Sequence, residues 1–140
     1  MERRFSEINV WVNGTFDVLH IGHIRLLEHA SKLGRVIVGI DTDTRIMEKK
    51  GPNRPFNNLA ERVEFLKSIK YIDTITVFGS DEELENKIKL YSPDVMVIGD
   101  DYREKPIIGS QYIKEIIYFK RIEDKSTSKI LGYDKSISDR

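Results

Sequence analysis

Apolar positions along the chain fall into short blocks that change period, and the changes mark the elements. Residues 8–12 form a brief apolar run with β-branched and aromatic side chains, ending at Asn13-Gly14, where a turn is expected. Over residues 22–33 the apolar positions Ile24, Leu26, Leu27, Ala30 and Leu33 recur at helical spacing, and Gly34 supplies a stop. Residues 35–40 are almost continuously apolar, as in a strand covered on both faces of a parallel sheet. Periodicity is lost from 41 to 58, a stretch that reads as a long loop of the kind that often carries function. Helical spacing returns over 59–69 through Leu59, Val63, Leu66 and Ile69, followed by a strand at 74–78. Residues 81–91 give a charged helix with a narrow stripe of Leu84, Ile88 and Tyr91, with Asp81 expected as its cap, and Pro93 ends it. A fourth strand is expected at 95–98, a polar loop at 99–109 and a fifth strand in the later half of 113–119. A short helix near 126–131 and a frayed tail at 132–140 complete the reading.

Strands alternating with helices predict a Rossmann-like, doubly wound α/β domain on a five-stranded parallel sheet, with residues 1–140 one domain and a core over about 8–131. Ligands of such sheets bind at the carboxyl ends of the strands, near the point where strand order reverses. The segments 13–23, 99–109 and 120–128 should therefore meet.

With 140 residues the chain has the size of one domain. Lys plus Arg and Asp plus Glu both number 23, so net charge draws the chain to neither nucleic acid nor anionic lipid, and any basic site is local. The absence of cysteine excludes thiol nucleophiles, disulfides and thiolate metal sites. No signal-peptide pattern and no stretch near the ~18 apolar residues of a membrane helix is visible, so a cytoplasmic location is the expectation.

The chemistry gathers after the first strand, in Gly14-Thr15-Phe16-Asp17-Val18-Leu19-His20-Ile21-Gly22-His23. His20 and His23 lie three apart at a helix start and so share a face, while Gly22 lets a bulky anion approach the backbone. The helix N-terminus adds unpaired N–H donors and partial positive charge, a combination suited to a triphosphate. In a chain with three histidines and nine glycines, about 0.004 chance occurrences of His-x-Gly-His are expected, so accident is a weak rival.

These residues resemble the first motif of the nucleotidyltransferases that carry a His-x-Gly-His signature, the cytidylyltransferase-like family, and glycerol-3-phosphate cytidylyltransferases in particular. The resemblance continues in order: Arg62 in Ala60-Glu61-Arg62 matches a family arginine, Lys70-Tyr71-Ile72-Asp73 resembles Arg-Tyr-Val-Asp, Gly99-Asp100-Asp101-Tyr102 resembles Gly-Asp-Asp-Trp, and Arg121 to Ser128 resembles Arg-Thr-Glu-Gly-Ile-Ser-Thr-Thr. It implies direct in-line attack of a substrate phosphate on the α-phosphorus of a nucleoside triphosphate, with pyrophosphate leaving.

On that reading His20 and His23 are catalytic hydrogen-bond donors, their protonation state left open, joined by Lys49 or Lys50 closing onto phosphates and by Asp17 as the nearest carboxylate. Gly14, Thr15, Phe16, His20, Gly22, His23, Lys70, Asp100, Arg121, Ser126, Thr127 and Ser128 are expected to hold the nucleotide, and Asp17, Lys49 and Arg62 the acceptor. Mg2+ is expected to ride on the triphosphate rather than in a protein cage. The plain alternatives are solvated loop charges for Lys49 and Lys50, a surface arginine for Arg62, an N-cap run for 126–128 and turn formation for Asp100.

Departures from the pattern bear on the substrate. Lys70 replaces an arginine and loses its fork geometry, and the acidic run Asp81-Glu82-Glu83 stands where the glycerol phosphate enzymes have a lysine. Lys50-Gly51-Pro52-Asn53-Arg54-Pro55-Phe56-Asn57 and the segment from Asp101-Tyr102-Arg103 to Ile108-Gly109-Ser110 resemble the adenylyltransferase domain that makes ADP-heptose. The expectation is transfer of CMP from CTP to a small polyol or sugar phosphate, with ATP and a heptose 1-phosphate as the alternative and a non-catalytic nucleotide-binding domain as the rival of another class. Class I aminoacyl-tRNA synthetases share His-x-Gly-His, but 140 neutral residues without a basic stripe leave no surface for tRNA. The resemblance also implies a homodimer.

Overall fold

The computed structural model describes residues 8–100 and 105–120. Its sheet comprises β1 (Asn9–Gly14), β2 (Arg35–Asp41), β3 (Thr74–Phe78), β4 (Val95–Gly99) and β5 (Glu115–Phe119), interleaved with α1 (Ile21–Ser31), α2 (Asp43–Lys50), α3 (Leu59–Lys67) and α4 (Asp81–Tyr91). Strand order is β3-β2-β1-β4-β5, with all neighbours parallel. The order turns back between β1 and β4, the switch point of a doubly wound sheet. The expected architecture and strand positions are found, with bounds shifted by one or two residues.

Alternation along the strands builds two cores. Val10, Val12, Val36, Val38 and Ile40 face one way and pack with Leu27 and Ala30 of α1 and Leu66 of α3. Trp11, Ile37, Phe78 and Met96 face the other way and pack with Leu84 and Ile88 of α4. Gly39 is what lets the Trp11 ring lie flat on the second face: a Cβ there would sit 2.6 Å from the indole Cζ2. The indole Nε1 is satisfied by Asn13 Oδ1 at 2.8 Å.

Two expectations are corrected. Residues 41–58 are not a continuous loop, because α2 occupies the first part. Its helical register hides from an apolar-period reading because its buried positions are Arg45 and Ile46, one of them charged. Thr42 caps it through Oγ1, which accepts from Arg45 N, and Gly51 ends it at φ 108°, a left-handed conformation that glycine adopts without penalty. Arg45 holds the helix down by donating to Asp41 Oδ2 at 2.9 Å and Asp81 Oδ1 at 2.7 Å, with its guanidinium over the Phe78 ring. The cap of α4 is Ser80, whose Oγ accepts from Glu83 N at 3.0 Å, and Asp81 is left in the first turn to pair with Arg45. The helix expected near 126–131 lies outside the described residues.

Candidate active site

β1 delivers the chain to the carboxyl edge at Gly14, and Thr15 and Phe16 turn it toward α1. Phe16 takes a left-handed φ of 49°, a conformation costly for a side chain with a Cβ and tolerated where the surroundings hold it. Its buried ring packs against His23 at 5.3 Å between centroids.

The two histidines cap α1 for each other. Gly22 N–H donates to His20 Nδ1 at 3.0 Å, and His20 N–H donates to His23 Nδ1 at 3.2 Å, so the imidazoles take the parts that Ser and Glu play in a capping box. The rings lie 3.9 Å apart, tilted by 32°. Because each Nδ1 accepts a backbone N–H, the neutral rings carry their proton on Nε2, on the far side of each ring from the helix backbone. That arrangement gives both rings the same tautomer, with Nε2 as the donor nitrogen of each at one helix start. The first turn of α1 contains no acidic residue to offset the positive end of its dipole.

Asp17 and Arg62 are both engaged within the protein. Asp17 is 1% exposed. Its Oδ2 accepts from Arg54 Nε at 2.9 Å and Phe56 N at 2.7 Å, its Oδ1 accepts from Asn57 N at 2.8 Å, and its carbonyl accepts from the Asn57 amide. A carboxylate so enclosed anchors residues 54–57 to the histidine loop. Arg62 is not a surface arginine: it is wholly buried, and its guanidinium donates to the carbonyls of Asn57, Thr15 and Asp41 and to Asp43 Oδ1. It ties the ends of β1 and β2 to the loop before α3.

Lys70 is not brought to this edge. It precedes β3, in a segment whose Asp73 hydrogen-bonds Val36 at the start of β2, so it stands at the amino edge of the sheet. Lys49 and Lys50 close the last turn of α2 on the β3 side of the carboxyl edge, where Lys49 is exposed and acts electrostatically on Asp81. Asp100 directly follows β4, across the switch point from the histidines. Arg121, Ser126, Thr127 and Ser128 lie outside the described residues.

The acidic groups around Arg45 divide by environment. Burial pushes Asp41 above the ordinary carboxylate range despite the nearby Arg45 and Arg62, whereas the Arg45 hydrogen bond pulls the exposed Asp81 below it. Sequence reading missed Arg54, Phe56, Asn57 and the Asp41–Arg45 pair as parts of this edge. The Arg54-Pro55-Phe56-Asn57 run was visible as a motif, but its partner Asp17 lies 37 residues away along the chain from Arg54.

Residues 11–136 match the family described as cytidylyltransferase-like. The chain belongs to this family of nucleotidyltransferases. Among curated relatives it is similar to the bifunctional protein HldE of Campylobacter fetus subsp. fetus, 37% identical over 130 residues, and to that of Helicobacter hepaticus, 42% identical over 123 residues. These alignments cover 92% and 87% of the chain but 28% and 25% of the relatives, so the chain spans about a quarter of the length of the curated proteins it matches. Its fold is similar to that of a lipopolysaccharide core biosynthesis protein from Thermoplasma volcanium, with TM-score 0.68 and 23% identity over 83% of this chain and 98% of that one. Pantothenate synthetase from Thermus thermophilus shares the fold at TM-score 0.60 and 15% identity, over 94% of this chain and 63% of that one. Among the described residues no helix is long and apolar enough to cross a membrane.

Proposed function

We propose that the chain transfers AMP from ATP to a sugar 1-phosphate, releasing pyrophosphate. The observation that carries nucleotidyl transfer is the pair of imidazoles held through Nδ1 at the start of α1, which leaves Nε2 of each ring turned away from the helix backbone. What tips the base toward adenine is the 50–57 loop, which resembles that of the adenylyltransferases that make ADP-heptose, together with the similarity to the bifunctional protein HldE. This reading displaces the expectation of CTP, which rested on the first motif and Gly99-Asp100-Asp101.

The acceptor's phosphate oxygen forms a bond to the α-phosphorus as the bond from that phosphorus to the bridging oxygen breaks, and the electron pair leaves on pyrophosphate. His20 and His23 donate from Nε2 to the phosphoryl oxygens on which charge builds, and the positive end of α1 adds to this stabilisation. Positioning supplies much of the remaining rate. Among the described residues no three His, Asp or Glu side chains group as a metal site, and Asp17 is held by Arg54 and backbone amides. Magnesium would accompany the triphosphate and screen its charge. Arg121 and 126–128 keep phosphate-binding roles on the resemblance alone.

The test is pyrophosphate release from ATP or CTP with magnesium, each paired with a heptose 1-phosphate, a hexose 1-phosphate and glycerol 3-phosphate. Turnover with ATP and a sugar 1-phosphate is expected. Preference for CTP with glycerol 3-phosphate restores the cytidylyl reading, and nucleotide binding without turnover across the panel favours a non-catalytic domain.

A further inference from the structure

Phe56 is 65% exposed, yet the backbone that carries it is tied down on both sides of its Cα. Its own N–H and that of Asn57, on either side of its Cα, both donate to the buried Asp17 carboxylate, at 2.7 and 2.8 Å. Arg54, 5% exposed, ion-pairs with the same carboxylate at 2.9 Å. Burying a charge pair is unfavourable unless its geometry is well satisfied, and here it immobilises a loop whose central apolar ring is left in solvent. An exposed aromatic ring on a fixed backbone is a preorganised contact for a ligand, since little freedom remains to be lost on binding.

Topology decides which ligand. The nucleotide belongs in the crevice where strand order turns back, between β1 and β4, with Asp100 on its far wall. The loop carrying Phe56 joins α2 to α3, between β2 and β3, and is stitched to the histidine segment through Asp17. It therefore flanks the histidines on the side away from that crevice. In-line displacement requires the nucleophile to approach the α-phosphorus opposite the departing pyrophosphate, so a second substrate has this side to occupy.

We infer that Phe56 is a specificity-determining residue for the acceptor, its ring packing against the C–H face of a cyclic sugar phosphate. The inference rests on the nucleotidyltransferase reading above and names the acceptor's contact within that site. The exposed ring supports no core packing, so its substitution leaves the fold in place.

The experiment measures kcat and both KM values by pyrophosphate release for the wild type, Phe56→Ala and Phe56→Tyr with ATP and the best acceptor of the panel. Phe56→Ala should raise the acceptor KM roughly five- to tenfold, the range for loss of one aromatic contact, while the ATP KM stays within about twofold. Phe56→Tyr, which keeps the ring, should remain near wild type. An unchanged acceptor KM in Phe56→Ala, an equal rise in the ATP KM, or a tyrosine variant as impaired as the alanine one overturns the assignment. If the best acceptor carries no sugar ring, the sugar specificity fails while the acceptor-to-ATP split still reads out the position of Phe56. A wild type that turns over nothing overturns both readings.

Discussion

Replacing Arg62 by methionine should destabilise the domain severely, and the structure allows the size to be estimated. The side chain is wholly buried and donates to Asn57 O at 3.0 Å, Thr15 O at 3.0 Å, Asp41 O at 2.8 Å and Asp43 Oδ1 at 2.6 Å. Methionine keeps much of the length and volume, so the cavity contribution is small and the loss is mainly of the four donor contacts. The buried Asp41 carbonyl left without this donor costs about 1–3 kcal/mol, and the part-buried Asn57 and Thr15 carbonyls about 0.5–1.5 kcal/mol each. The Asp43 side chain is 45% exposed and regains water, so its ion pair adds at most about 1 kcal/mol. Allowing for relaxation, the total is about 3–5 kcal/mol, within the range for breaking a buried charged contact. That is a large fraction of the ~5–15 kcal/mol that holds a domain folded. The assay is urea denaturation with a parallel thermal melt, where a drop of about 10 °C or more is expected. Arg62→Lys should recover less than half of the loss, because one ammonium cannot span acceptors on β1, β2 and the loop before α3. If Arg62→Met unfolds within about 1 kcal/mol of wild type, the stitching role is wrong. If Arg62→Lys instead keeps full stability and raises only the acceptor KM, the arginine is a substrate ligand after all.

His20→Asn separates the two duties of that residue: asparagine is a good N-cap, so the melt should change little, while turnover falls by about 10²-fold or more for want of the Nε2 donor. Wild-type turnover in that variant would dismiss the imidazole donor. Asp41 and Asp81 share Arg45 but should titrate apart in carboxyl NMR, Asp41 above 3.8 and Asp81 below it. By linkage the Asp41 contribution to stability is complete below pH 3.8 and lost as pH rises through its folded pKa. The Asp81 contribution is present above 3.8 and lost as pH falls through its own. Asp81→Asn should therefore flatten the acid limb of the stability curve, and the opposite order of titration would show that burial does not govern Asp41.

Much of the architecture follows from local pattern, because the strands and most of the helices each bury an apolar face whose period can be read in one dimension. The strand at 74–78 and the helix at 81–91 fall where that pattern put them. α2 escaped because its inward face is occupied by Arg45 as well as Ile46, and an arginine reads as solvated until its partners Asp41 and Asp81 are known. The His-x-Gly-His segment was legible for a similar reason: its chemistry is carried within four consecutive residues, at a helix start that the flanking pattern already marks. The roles of Asp17, Arg54 and Arg62 were not legible, since each depends on contacts made across tens of residues. A charged side chain has the same letter whether it faces a phosphate, water or three backbone carbonyls. Only the meeting of β1, β2 and the 54–57 loop turned Asp17 and Arg62 inward, and only that enclosure left Phe56 outward on a fixed backbone.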